Sequence, residues 1–163
     1  MARCSQVHFI DMPNDLAAGV VIKPLGTHVD SRGHLTELFR SDEIPEGTLP
    51  TMGYISVTHP GIARGPHEHV NQTDLFCFVD GEYEVRLWEN RPGEPKWSYT
   101  FLVGKSNPVA IIVPPGVVHG YRNVGSEDAY VLNFPNQLYA GKGKTEPVDE
   151  IRHEDIESQF KFD

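Results

Sequence analysis

Gly61-Ile62-Ala63-Arg64-Gly65-Pro66-His67-Glu68-His69, running on through Thr73-Asp74-Leu75-Phe76-Cys77-Phe78-Val79 to Asp80-Gly81, is the stretch on which the fold turns. Side chains two apart on a strand project to one face, so a strand here aims His67 and His69 together. Asp80-Gly81 is a strong hairpin signal. The return run from Glu82 to Trp88 alternates, with Tyr83, Val85 and Leu87 sharing one face.

Outward from this hairpin the same grammar repeats. Val20 to Leu25 is apolar-rich. A turn at Asp30-Ser31-Arg32-Gly33 leads into His34 to Phe39, and Tyr54 to His59 is ended by Pro60-Gly61. Trp97 to Val103, Val109 to Val113, Val117 to Asn123 and Ala129 to Phe134 follow, the first of them after a turn at Asn90 to Pro95. Short strands at roughly even spacing predict an all-β sandwich or barrel. The tail from Val148 to Phe160 reads as a short acidic helix with Val148, Ile151 and Ile156 turned inward.

The 163 residues suffice for one domain, and no repeat or linker divides them. We therefore expect a single domain over 1–163, a barrel core about 20–139, and extensions packing on it or on a partner subunit. The hydrophobic share of 39% and charged share of 23% are those of a globular chain. A net charge of −9 argues against nucleic acid or an anionic membrane as partner, while leaving room for an anionic small ligand held by a few placed arginines. No apolar run approaches the roughly eighteen residues of a membrane helix. Met1-Ala2-Arg3-Cys4 lacks an apolar signal core, so the expected address is cytoplasmic. Cys4 and Cys77 are too few for a disulfide framework, and Cys77, mid-strand, is expected as a buried free thiol.

The first stretch resembles the first cupin signature: glycine, five residues, His-x-His, four residues, an acid, six residues, glycine, with Asp74 where the family usually has Glu. Pro114-Pro115-Gly116-Val117-Val118-His119-Gly120-Tyr121-Arg122-Asn123 resembles the second signature, with Pro108 in place of its leading glycine. The resemblance implies a cupin double-stranded β-helix, a jelly-roll barrel in which His119 faces His67 and His69. Three imidazoles and a carboxylate (His67, His69, His119, Asp74) suit a divalent metal such as Zn, Fe, Ni or Mn. Many cupins instead use these positions for acid–base work without metal. His8, His28, His34, His59 and His153 are read as structural or solvated.

From Asp30 to Asp155 the chain resembles the dTDP-4-dehydrorhamnose 3,5-epimerase branch. The matches are Asp30, Arg32, Gly33 and Glu37; then Gly61, Arg64, Gly65 and His67; then Pro114, Gly116, His119 and Gly120, with Tyr121 for a Phe. A C-terminal motif finds only an echo in Arg152-His153-Glu154-Asp155-Ile156. The resemblance implies that His67 removes the proton beside a 4-keto group and that Asp155 orients it. Arg64 and Arg32, the latter across a dimer interface, would hold the nucleotide pyrophosphate, with Glu37, His119, Tyr121 and Tyr139 among the substrate contacts. No cofactor is required on that reading.

Four departures stand out. The family's catalytic tyrosine falls on Asn133, its lysine on Asp74, a glutamine on His69, and its Gln-x-Asn contacts on Met52 and Tyr54. An ordinary double epimerase is not implied, and a metal in place of the lysine is one compensation. Arg64 to His69 with Leu75 to Gly81 also looks like the dTDP-sugar 3,4-ketoisomerases. Other readings are a metal-dependent cupin (a dioxygenase or sugar-phosphate isomerase) and a non-catalytic sugar-binding cupin. The family implies a homodimer through an exchanged edge strand, which also covers an unpaired sheet edge. Tyr121, Tyr139 and Phe134 are candidate mouth aromatics; Trp88 and Trp97 are read as packing residues.

Overall fold

Alternation of apolar and polar residues between glycine and proline turns produces, in the computed structural model, an antiparallel jelly-roll barrel over the described residues, 19–162. Cys4, His8 and the N-terminal signal reading lie outside them. The strands are β1 (Val21–Pro24), β2 (Thr27–Asp30), β3 (Gly33–Thr36), β4 (Tyr54–Thr58), β5 (Ala63–Glu68) and β6 (Asp74–Phe78). Then come β7 (Glu82–Glu89), β8 (Ser98–Gly104), β9 (Val109–Val113), β10 (Val117–Asn123), β11 (Ala129–Asn133) and β12 (Ile151–Arg152). One sheet has the order β1-β9-β6-β11-β4 and the facing sheet β12-β5-β10-β7-β8, while β2 and β3 form a hairpin of their own.

The core lies between the sheets. Tyr83, Val85 and Leu87 of β7, one alternating face, meet Phe76, Phe78, Ile111, Val113 and Val131 from the opposite sheet. Burial of such side chains contributes about 1.5–3 kcal/mol each. β6 and β9 are buried on both faces, because Leu38, Phe39 and Ile44 cover the outward set Leu75, Cys77, Ala110 and Ile112. Cys77 is accordingly a buried free thiol, as the sequence predicts. Phe134 belongs to this outer cluster, against Phe39, rather than to the cavity mouth. Trp97 packs on Tyr99 and donates to Glu89; Trp88 packs on Phe160 and Phe162.

Three elements differ from the sequence expectation. Asp80-Gly81 does not close a hairpin: β6 and β7, which it joins, pair with other strands in opposite sheets, so the turn carries the chain across the barrel. The segment read as one strand from His34 is half of the β2–β3 hairpin, because Thr27 to Asp30 pairs back onto it across the Asp30–Gly33 turn. The tail is not an acidic helix. Its Ile151 and Arg152 add β12 beside Glu68 and His67 of β5, and His153–Asp155 is a single 3-10 turn. Val148, Ile151 and Ile156 are exposed, since edge pairing with β5 and not an amphipathic face fixes the segment.

Candidate functional site

β5 and β10 approach closely where the histidines sit. Gly65 permits this: its φ is +79°, and a Cβ there would lie 2.7 Å from the His119 carbonyl oxygen. His119 lies directly opposite His67 in the strand register. Their ring centroids are 4.4 Å apart, His67 and His69 are 5.4 Å apart, and His69 and His119 5.7 Å. Asp74 enters from β6 of the facing sheet. Donor atoms of His67, His69, Asp74 and His119 all lie within 4.8 Å of one another. The sequence-predicted cluster thus converges.

The tautomers of two rings are set by backbone carbonyls. His119 Nδ1 lies 2.9 Å from the Val117 oxygen, and His69 Nδ1 hydrogen-bonds the Asp149 oxygen. Each Nδ1 is therefore the donor, and each Nε2 turns a lone pair toward Asp74 in the neutral ring. His69 Nε2 is 2.9 Å and His119 Nε2 3.2 Å from Asp74 Oδ2. Close as they are, Asp74 Oδ2 and His119 Nε2 lack a partner of hydrogen-bond geometry and are buried. Asp74 Oδ1, by contrast, accepts from the Gln72 and Asn133 amides, each at 3.0 Å. Burial opposes ionisation of Asp74, but His119 and His69 outweigh it and hold the carboxyl well below the usual range. Burial also acts against a charged His69, and the Asp74 carboxylate overrides it, leaving that imidazole raised.

His67 differs from the other two. Burial, with His119 and His69 as neighbours, pushes its imidazole well below its ordinary value, so it stands neutral. Its Nδ1 faces Glu150 Oε1 at 3.9 Å, close enough for charge interaction but beyond a hydrogen bond. The sequence-assigned partner, Asp155, is exposed on the 3-10 turn and makes no ion pair with His67 among the described residues. Pairing of Arg152 with His67 in β12 sets the residue before the pair, Glu150, over the imidazole and carries the next turn away. Arg152 in turn holds Glu150 Oε2 at 2.7 Å.

A cavity of about 910 Å³ opens above this cluster. Arg64, Tyr121 and Tyr139 line it, as predicted. Arg64 is braced by Thr58 Oγ1 at 3.0 Å and the Val57 oxygen at 2.6 Å, and Tyr121 shares a 2.7 Å hydrogen bond with Ser56. Arg32 and Glu37 are not part of this cavity. Arg32 is exposed at the hairpin tip, tied to Asp30, and Glu37 is exposed beside Arg40. His153 is structural, bonded to Ser158 and to the buried Glu68. His28, His34 and His59 are exposed. Sequence reasoning missed Glu150 and Asp149 as cavity residues, for which the acidic pair preceding β12 was the available signal; Met52 and Tyr54, which it set at the family's Gln-x-Asn substrate contacts, do line the cavity.

The jelly-roll barrel with its histidine cluster has the cupin fold, which it shares with solved dTDP-sugar epimerases and isomerases. The ChmJ 3'-monoepimerase of Streptomyces bikiniensis, solved with dTDP-quinovose, superposes with a TM-score of 0.72 at 20% identity, covering 82% of this chain and 69% of that one. QdtA, a sugar 3,4-ketoisomerase of Thermoanaerobacterium thermosaccharolyticum solved with TDP, gives 0.64 at 20% identity over 86% and 92%. The profile of the polysaccharide biosynthesis C-terminal domain matches residues 28–145, and the chain belongs to that family. The probable low-salt glycan biosynthesis epimerase Agl13 of Haloferax volcanii is 35% identical over 131 residues, 78% of this chain and 83% of that protein. No helix among the described residues is long and apolar enough to cross a membrane.

Proposed function

We propose that the chain is a nucleotide-sugar epimerase acting beside the ketone of a dTDP-4-keto-6-deoxyhexose, with His67 as the base. The observation that carries this is the placement of His67: untethered to any backbone carbonyl, facing Glu150 at 3.9 Å and opening on the cavity. A proton α to a ketone needs such a base, and the oxygen of the resulting enolate needs charge or donors held ready. Arg64, braced through two of its nitrogens, has donors left over for a diphosphate. The ketoisomerase reading is weaker, because His69 has one nitrogen on the Asp149 oxygen and the other against Asp74 and Gln72, a ring fixed from both sides rather than one free to carry protons between sugar carbons.

The unsatisfied Asp74 Oδ2 and His119 Nε2 fit a divalent cation, with His69 as the third ligand. A four-ligand shell would take the lone pair that His67 needs as base, so the untethered ring favours three ligands. A divalent cation there would polarise the substrate's ketone oxygen. We further propose a cytoplasmic homodimer, in which the β2–β3 hairpin carries Arg32 toward the partner's cavity. The test is proton exchange by NMR in heavy water. Wild type is expected to place deuterium at the carbon next to the ketone, and His67→Gln to lose about 10²–10⁴-fold of that rate. Sugar bound without exchange ends the enzyme reading. Metal analysis before and after chelation decides the cation, and full activity from metal-free protein ends that part.

A further inference from the structure

Asn133, the position at which the resemblance expects a tyrosine, stands on β11 with its side chain buried. In the register of β11 against β4 its direct partner is Tyr54. Ala129 and Val131 of β11 face the core, so their partners Thr58 and Ser56, and with them Tyr54, share the inward face. Directly opposed side chains lie about 5 Å apart at Cβ. A phenol moved across the ladder by one strand therefore reaches the same region of the barrel. Tyr54 lines the cavity and its hydroxyl ends 2.6 Å from Asn133 Nδ2.

The orientation of that contact follows from Asp74. The same atom of Asn133 lies 3.0 Å from Asp74 Oδ1, and a carboxylate only accepts, so the atom is the amide nitrogen. Tyr54 Oη therefore accepts from Asn133. Its own hydrogen points elsewhere, and no other hydrogen-bond partner for Oη occurs among the described residues. Burial, with Asp74 next in weight, pushes the Tyr54 phenol up to about 12, so it keeps that proton at neutral pH. Of the other two phenols of the cavity, Tyr121 is on β10 in the same sheet as His67 and shares its hydroxyl with Ser56, and Tyr139 is exposed on the loop after β11 rather than on a barrel strand. Tyr54 is on the facing sheet.

We propose that Tyr54 is the catalytic acid that delivers a proton to the sugar carbon on the face opposite His67, replacing the phenol lost at position 133. The inference rests on the epimerase reading above. His67 takes the proton from the carbon beside the ketone, and the C–H electron pair moves into the enolate. The enolate carbon then takes the Tyr54 hydroxyl proton from the other side, leaving a phenolate. Solvent carries the His67 proton away and reprotonates the phenolate, so atoms and charge balance with no oxidant or reductant. Inversion needs both faces served, and the two sheets provide one group each.

The test compares wild type with Tyr54→Phe, which removes a single hydroxyl from a ring that is 46% exposed. In heavy water the variant is expected to wash deuterium into recovered, uninverted substrate at a rate within about threefold of wild type, because His67 still acts. Formation of the inverted epimer should fall about 10²–10⁴-fold, with KM unchanged within about threefold. Inverted product at the wild-type rate overturns the inference. So does loss of exchange together with inversion at intact substrate binding, since the hydroxyl would then serve the whole site. If wild type itself exchanges nothing, the epimerase reading has failed first; failure confined to the variant sinks Tyr54 alone.

Discussion

At the scale of single residues the site depends on which carboxylate meets His67. Glu150 is 3.9 Å from it and Asp155 is exposed elsewhere on the segment. Glu150→Gln keeps the shape but removes the charge that favours the imidazolium formed on proton transfer. We expect turnover to fall about tenfold or more with KM little changed, and Asp155→Asn to leave both within about twofold. The reverse pattern would restore Asp155 to the role that the motif echo suggested. Asn133 reads differently at this scale too. Counted as a missing tyrosine it looks like lost function, yet its amide donates to Asp74 and to Tyr54 at once. Asn133 and Asp74, the two positions at which the resemblance expects a Tyr and a Lys, are in direct contact, an amide supporting a buried acid. The sequence shows each half but not the contact between them.

At the scale of elements, the segment from Asp149 onward builds the site's far wall, although the family profile ends at residue 145. Asp149 accepts from the backbone amides of Val70, Asn71 and Gln72, each at 2.8 Å, and its carbonyl takes His69 Nδ1. β12 then pairs with β5, and Phe160 and Phe162 pack on Trp88 from β7. Phe162 fits because residue 120 is glycine: a Cβ there would lie 2.7 Å from its ring and 2.8 Å from the Arg64 carbonyl oxygen. Partial burial opposes ionisation of Asp149, but the three amides outweigh it and hold the carboxyl below its ordinary value of 3.8. A lowered folded-state value means the stabilisation is fully present above the unfolded value and disappears as pH falls through the folded one. Asp149→Ala should therefore cost about 1–2 kcal/mol at neutral pH, with exposure already discounted. In urea unfolding the gap to wild type should begin to narrow as pH falls below about 4. A gap of constant size as pH falls through that range would show that the carboxylate's charge is not what the loop uses.

At the scale of the whole molecule, the barrel leaves apolar surface without cover. Val29 is 78% and Leu35 64% exposed on opposite faces of the β2–β3 hairpin, and Ile55 and Val57 project outward from the edge strand β4. An isolated two-stranded hairpin is marginal in water and an open apolar edge invites pairing. A second copy covering both faces is the arrangement we propose. Sedimentation at micromolar concentration should give a dimer for wild type and a folded monomer for the double variant Val29→Glu with Leu35→Glu. A monomeric wild type would refute it. The barrel, the turn after Val79, the buried Cys77 and the gathering of His67, His69 and His119 were all legible in the sequence. Alternation along a strand and ligand spacing are local, and a jelly roll follows from many such local choices agreeing. The β12 pairing that brings Glu150 to His67, and the contact of Tyr54 with Asn133, 79 residues away, were not. Both depend on which strands end up side by side and in what register, and only packing of the two sheets around a shared core decides that.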